Sequence, residues 1–159
     1  MELVIFIGLQ AAGKSTFFRT RFASTHELVS KDCFRNNKNP SRRQAQLIEA
    51  ALKEGRSLVV DNTNPTIEDR ASIIQLGRLY NAEIIGYYFK SQVKRCLERN
   101  QQREGKARVP DVGIYATMKK LVKPAYAEGF DQLFYVSIVG DGKFKVSSWR
   151  KEEGISSLV

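Results

Sequence analysis

The sequence predicts an α/β fold built on a parallel sheet of five strands with helices on both faces. Two observations lead there. Short apolar runs alternate along the chain with stretches whose apolar residues recur at helical spacing, and in one unit that alternation means a parallel sheet covered on both sides. The first run, residues 3–7, also leads straight into Gly8-Leu9-Gln10-Ala11-Ala12-Gly13-Lys14-Ser15. That octet fits G-x-x-x-x-G-K-[ST], in the strand–turn–helix setting that the phosphate-binding P-loop requires.

In chain order, residues 14–23 form a short helix with Phe17, Phe18 and Phe22 as its apolar contribution. A brief second strand over 28–30 delivers Lys31, Asp32, Cys33, Phe34 and Arg35 at its C-terminal end, where ligand chemistry belongs in open α/β sheets. After a polar loop over 36–40, Ser41 caps a helix to Glu54, with Leu47, Ile48, Ala51 and Leu52 at helical spacing and Gly55 as its stop. Residues 58–60 are a wholly apolar strand ending in Asp61-Asn62-Thr63-Asn64-Pro65. Thr66 and Asp69 then make a capping-box-like start for a helix to Tyr80. A fourth strand spans 83–89. A basic helix over 92–103, a loop over 105–110 and a helix over 111–122 follow. A fifth strand covers 133–139, and residues 140–159 read as a turn-rich polar tail anchored by Trp149. The chain shows no repeat or linker, so residues 1–159 are expected to form a single domain.

Bulk properties narrow the function. A length of 159 residues suffices for a real core without staples. No run approaches the eighteen or so apolar residues of a membrane helix, and the first is too short for a signal segment, so a membrane location is not expected. Cys33 and Cys96 have no metal-type spacing and are expected as unbridged thiols in a reducing cytoplasm. His26, the one histidine, lies in a polar connection and reads as a surface residue. That excludes histidine catalysis and multi-histidine metal sites. A net charge of +9 favours a polyanionic partner such as nucleic acid.

The chemistry starts at the P-loop. Gly8 and Gly13 let the backbone turn its N–H groups onto an anion, and the helix N-terminus aims its dipole at the same place. The triphosphate of ATP is expected against Gly8, Ala11, Ala12, Gly13, Lys14, Ser15 and Thr16. Lys14 reaches the β/γ-phosphates, and the Ser15 hydroxyl is a ligand for Mg²⁺. Asp32 is the candidate general base for a hydroxyl acceptor, with Arg35 either holding it or contacting an incoming phosphate. Asp61 either organises Mg²⁺ through water or orders its own turn. Asn62, Thr63 and Asn64 either touch the substrate or satisfy their own backbone. Arg95, Arg99 and Arg103, spaced by four, share a helix face with few acidic partners nearby, which points to an external anion.

A P-loop alone does not separate a motor, a GTPase and a kinase. Asn37-Lys38-Asn39-Pro40 lacks the Asp of a guanine-reading motif, and the 58–60 strand ends in Asp-Asn rather than the Asp-Glu usual in motors. An arginine-rich segment before the last strand points to a kinase with a lid.

The chain resembles the kinase domain of the polynucleotide 5′-hydroxyl kinases, the end-healing enzymes. The matching stretches are residues 8–17, 31–35, 60–65 with Arg70, 99–110, and Pro-Ala-Tyr-Ala-Glu-Gly-Phe at 124–130. The resemblance implies a P-loop kinase fold with a lid over 99–110, Asp32 as general base, Arg35 at the acceptor phosphate and Arg103 as the lid arginine on the transferring phosphoryl group. It implies ATP and Mg²⁺ as cofactors, with Arg99 beside the nucleotide. The bifunctional members carry a phosphatase motif, Asp-x-Asp-x-Thr, absent from these 159 residues, which leaves room for a separate phosphatase or ligase partner. The expectation is phosphoryl transfer from ATP to the 5′-OH end of DNA or RNA. Its rivals are a kinase of a small metabolite and a nucleic-acid-binding ATPase module that phosphorylates nothing.

Overall fold

Hydrophobic content decides which strand lies where. The computed structural model describes residues 1–90 and 92–149. Its sheet has six strands: β1 (Glu2–Ile7), β2 (Glu27–Val29), β3 (Leu58–Asp61), β4 (Glu83–Phe89), β5 (Gln132–Ile138) and β6 (Phe144–Trp149), in the order β2-β3-β1-β4-β5-β6. Leu3, Val4, Ile5, Phe6 and Ile7 have no exposed surface, as a central parallel strand buried on both faces demands. The three-residue β2 and the alternating Phe-Lys-Val-Ser-Ser-Trp of β6 take the edges.

The sixth strand corrects the expected five. The first five are parallel, and β6 pairs antiparallel with β5, from Leu133 opposite Trp149 to Ile138 opposite Phe144. Part of the expected polar tail is therefore sheet, and its remainder, residues 150–159, lies outside the described residues. Asp141-Gly142 is a hairpin signal: Gly142 has φ +80°, and its N–H donates to the Val139 carbonyl at 2.8 Å. Trp149 anchors this edge, its ring centroid 4.1 Å from that of Tyr135.

Alternation along β1 separates two cores. Leu3, Ile5 and Ile7 face helices α2 (Pro40–Lys53) and α3 (Ile67–Leu79) through Ile48, Leu52 and Ile73. Val4 and Phe6 face α1 (Lys14–Arg21), α4 (Val93–Gln101) and α5 (Asp111–Lys120) through Phe17, Cys96 and Ile114. Phe6, Phe17 and Phe89 meet edge to face or tilted at centroid distances of 5.0–5.8 Å. Parallel register places Ile7, Val29, Asp61 and Phe89 near one sheet edge, so the loops carrying the candidate residues emerge together.

Side-chain caps start two of the helices, α2 and α3. The Thr66–Asp69 capping box forms as expected. The cap of α2 is Asn39, whose side chain accepts from the Arg42 N–H at 3.1 Å with Pro40 in the first turn, rather than Ser41. Helix α4 ends at Gln101, two residues early, so Arg103 does not share a helix face with Arg95 and Arg99. His26 is not a surface residue either: its side chain is 10 % exposed, bonded to Glu2 at 2.8 Å and set edge-on to Phe22. Among the described residues, no helix is long and apolar enough to cross a membrane.

Arg70 on α3 joins these layers and has no exposed surface. Its Nε and Nη2 donate to the two Glu128 carboxylate oxygens at 2.8 and 3.1 Å, and its Nη1 donates to the Asn64 and Val122 carbonyls at 2.9 and 3.0 Å. Removing a partner from such a pair strands a buried charge. Arg70→Ala is therefore expected to lower unfolding free energy by about 3–5 kcal/mol, measured by urea denaturation. Glu128→Gln, which leaves the wholly buried guanidinium without its counter-charge, should be destabilised as well. Equal stability of Arg70→Ala and the parent would remove the network from the list of structural determinants.

Candidate active site

The loop between β1 and α1 has the backbone of an anion cradle. Ala11 and Gly13 both have positive φ, +61° and +94°. A side chain at Gly13 would also strike Ile138 and Phe144 at 3.0 and 3.1 Å, so only glycine fits. The Gly8 N–H donates to the Thr63 carbonyl at 3.0 Å, which ties the loop to the turn after β3. From outside, Arg99 Nη1 donates to the Ala11 carbonyl at 2.9 Å, and Gln10 donates to the Thr117 hydroxyl on α5 at 3.0 Å.

Lys14 lies inside the loop, its ammonium donating to the Gly8 and Leu9 carbonyls at 2.9 and 2.7 Å. Burial pushes its pKa down to about 8, with Asp61 pulling the other way and Arg103 adding to the depression. Asp61 is 7 % exposed, and burial raises its pKa, opposed by Lys14 and by the Ser15 hydroxyl. That hydroxyl donates to Asp61 Oδ2 at 3.1 Å. Two hard oxygen donors thus converge beside the cradle. Among the described residues no three His, Cys, Asp or Glu side chains cluster as a metal cage. This donor set suits Mg²⁺, which binds through one or two protein oxygens together with nucleotide phosphates and water. Ser15 and Asp61 would hold it there.

Asp32 sits on the 3₁₀ turn Lys31–Phe34 that follows β2, and Arg35 is the capping residue at its C-terminal end. Positions i and i+3 nearly eclipse in that geometry, and Arg35 Nη2 lies 3.2 Å from Asp32 Oδ1. The Asp32 side chain is 78 % exposed and therefore accessible to an incoming group. Arg35 Nη1 also donates to the Lys106 carbonyl in the lid at 2.8 Å. Arg103 leaves the helix into that lid and donates to the Ala107 carbonyl at 3.2 Å. Both Asp32 and Arg103 act electrostatically on Lys14 and Asp61.

One open cavity of about 1590 Å³ is lined by Lys14, Ser15, Asp32, Arg35, Asp61 and Arg103 together. Thr16 also lines it, while Arg99 does not. Asn62 and Asn64 lie on the same wall with side chains already engaged. Asn62 accepts from the Lys31 N–H at 2.9 Å and donates to Gln44 at 2.6 Å. Asn64, at φ +44°, donates to the Phe6 carbonyl at 2.8 Å.

Sequence reasoning missed Asn100. It is wholly buried, donates to the Val109 carbonyl at 2.6 Å and accepts the Val109 N–H at 3.0 Å, closing the base of the lid. An asparagine within a polar helix end carries no local signal of that role. Arg70, Glu128 and Asn100 all lie in the matching stretches, without an assigned function.

A family model described as an AAA domain matches residues 3–125. The bifunctional polynucleotide phosphatase/kinase of Schizosaccharomyces pombe is 29 % identical over 81 % of this chain and 32 % of its own length, so the chain spans about a third of that relative. A putative kinase from Chloroflexus aurantiacus superposes with a TM-score of 0.69 at 15 % identity, covering 99 % of this chain and 93 % of the other. A gluconokinase from Sinorhizobium meliloti gives 0.64 at 14 % identity, over 87 % and 83 %. At these identities the two structures show a shared P-loop kinase fold.

The depressed pKa of Lys14 has a measurable consequence. A bound triphosphate adds negative charge and favours the ammonium, which raises that pKa again. Near about pH 8.5, where the free protein holds Lys14 largely neutral, ATP binding is expected to take up protons; near pH 7, where Lys14 is already mostly protonated, it contributes little uptake. Calorimetry in two buffers of different ionisation enthalpy measures this. Persistence of the uptake in Lys14→Ala would assign it to another group.

Proposed function

This chain belongs to the AAA-domain family, and within it we propose that it is an ATP-dependent kinase that transfers the γ-phosphoryl group to the 5′-OH end of DNA or RNA. The observation that carries the reading is the shared cavity. A phosphate cradle with Lys14 and an exposed carboxylate paired to an arginine, Asp32 with Arg35, open onto the same space. A nucleotide and an acceptor can therefore approach from different sides. The +9 net charge and the polynucleotide phosphatase/kinase relative support a polynucleotide over a neutral acceptor.

In this reading the chain's work is positioning and charge neutralisation. Backbone N–H groups of the loop and Lys14 hold the β/γ-phosphates. Ser15 and Asp61 hold Mg²⁺, which when bound neutralises phosphate charge. Asp32 accepts the proton of the acceptor hydroxyl as its oxygen bonds to the γ-phosphorus and the bond to the ADP oxygen breaks. Arg103 stabilises the charge on the transferring group, and Arg35 turns from the Lys106 carbonyl to an acceptor phosphate. The cytoplasm belongs to this reading as the proposed location. A separate phosphatase or ligase partner belongs to the same proposal.

The test is transfer of labelled γ-phosphate to a panel of 5′-OH oligonucleotides, nucleosides and sugars. Labelling of the oligonucleotide end is expected; labelling of sugars alone would make this a metabolite kinase, and ATP hydrolysis without any labelled acceptor an ATPase module. Asp32→Asn should cut transfer roughly 10²–10³-fold while sparing ATP affinity. Arg103→Ala should lose about 10³-fold in turnover with little change in ATP binding, and Arg103→Lys should recover little because a point charge replaces a planar fork. Full activity of Arg103→Lys beside a dead Arg99→Lys would move the lid role to Arg99.

A further inference from the structure

A second cavity, of about 280 Å³, is lined by Lys90, Lys123, Tyr135, Ser137, Lys145 and Ser147. Strand register accounts for four of them. Ser137 pairs with Lys145 and Tyr135 with Ser147, and residues two apart on one strand share a face, so one lysine and three hydroxyls project on the same side of β5 and β6. Lys90 stands just past the C-terminal end of β4, where its N–H donates to the Val136 carbonyl at 2.9 Å. Lys123 follows a clamped residue: the Val122 N–H donates to the Pro65 carbonyl at 2.7 Å, and the Val122 carbonyl accepts from Arg70 at 3.0 Å. Three ammonium groups and three hydroxyls thus line a hollow with no carboxylate among the described residues of its wall. None of the three lysines makes an ion pair among the described residues. Like charges gathered without counter-charges repel one another and lower in energy when an anion sits between them.

The hollow shares the sheet edge of the phosphate cradle. Lys120 lines the large cavity and Lys123 the small one, three residues apart. We propose that this hollow is a second anion subsite, which takes a backbone phosphate of the polynucleotide acceptor away from its reacting end. The proposal deepens the kinase reading and rests on it for the acceptor's identity. The strand β2, whose C-terminal end delivers Asp32, and β5, which carries Ser137, are four strand spacings apart, roughly 19 Å at about 4.8 Å each. At about 3.4 Å per nucleotide step, the subsite serves acceptors longer than about six nucleotides and is out of reach for a dinucleotide.

Binding of 5′-OH oligonucleotides of two and of twelve nucleotides, measured by fluorescence anisotropy on the full chain, tests this with the triple variant Lys90→Ala/Lys123→Ala/Lys145→Ala. Loss of each phosphate contact should weaken the twelve-mer roughly fivefold at 0.1 M salt and make the log–log salt slope shallower by about 0.7. Dinucleotide and ATP affinities should stay unchanged, and the corresponding triple Lys→Arg variant should keep twelve-mer binding. Equal weakening of both oligonucleotides, or no weakening of either, would overturn the subsite. The kinase reading fails separately. A parent protein that binds the twelve-mer through these lysines yet never labels it keeps the subsite and loses the transfer reaction.

Discussion

One wholly buried guanidinium holds the active edge of this protein together. Arg70 gives hydrogen bonds to a carboxylate and to two backbone carbonyls, those of Asn64 and Val122. Asn64 in turn donates to Phe6 at the end of the central strand, and its neighbour Thr63 accepts the N–H of Gly8, where the phosphate cradle begins. The chain of contacts runs from the Ala-Glu-Gly-Phe stretch through α3 to the loop that would receive ATP. Arginine suits the position because its planar fork meets both carboxylate oxygens while a third nitrogen serves the carbonyls. A lysine there would offer a point charge and leave acceptors in the interior unpaired.

That rigid turn supports a site whose charges are held under tension. Lys14 and Asp61 are both buried, and desolvation acts against the charged form of each. Their mutual attraction and the Ser15 hydroxyl offset part of this cost. A polyphosphate with its cation would supply the missing counter-charges, which is why a nearly closed cradle of positive-φ backbone is compatible with a stable fold. The strain and the desolvation collect at the sheet edge where the ligand is proposed to bind.

The segment expected as a lid, residues 99–110, is tied at two levels. Asn100 fastens its base by a reciprocal pair of bonds to Val109. Nearer its tip, the exposed Arg35 bonds the Lys106 carbonyl while also contacting Asp32. A buried reciprocal pair is costly to break, whereas an exposed side chain exchanges one acceptor for another at little cost. The base is therefore fixed, and the contact at the tip is the one that can be exchanged.

Much of this was legible in the residues alone. The apolar runs predicted the first five strands, most plainly β1 and β3, because a strand buried on both faces must be apolar throughout, and the glycine spacing with Lys14 and Ser15 predicted the cradle. The sixth strand was written only faintly, in the Asp141-Gly142 turn and a two-residue alternation that a polar composition masked. Where α4 stops decided whether Arg103 belonged to a helix face or to the lid, and no local signal marks that end. The buried roles of Asn100, Arg70 and Glu128 were invisible for a more general reason: their partners lie 9, 52 and 58 residues away, or 6 residues away across a turn. Local composition determines strands, loops and charge; which polar groups end up in the dark together, and so must pair, is decided only when the chain has packed.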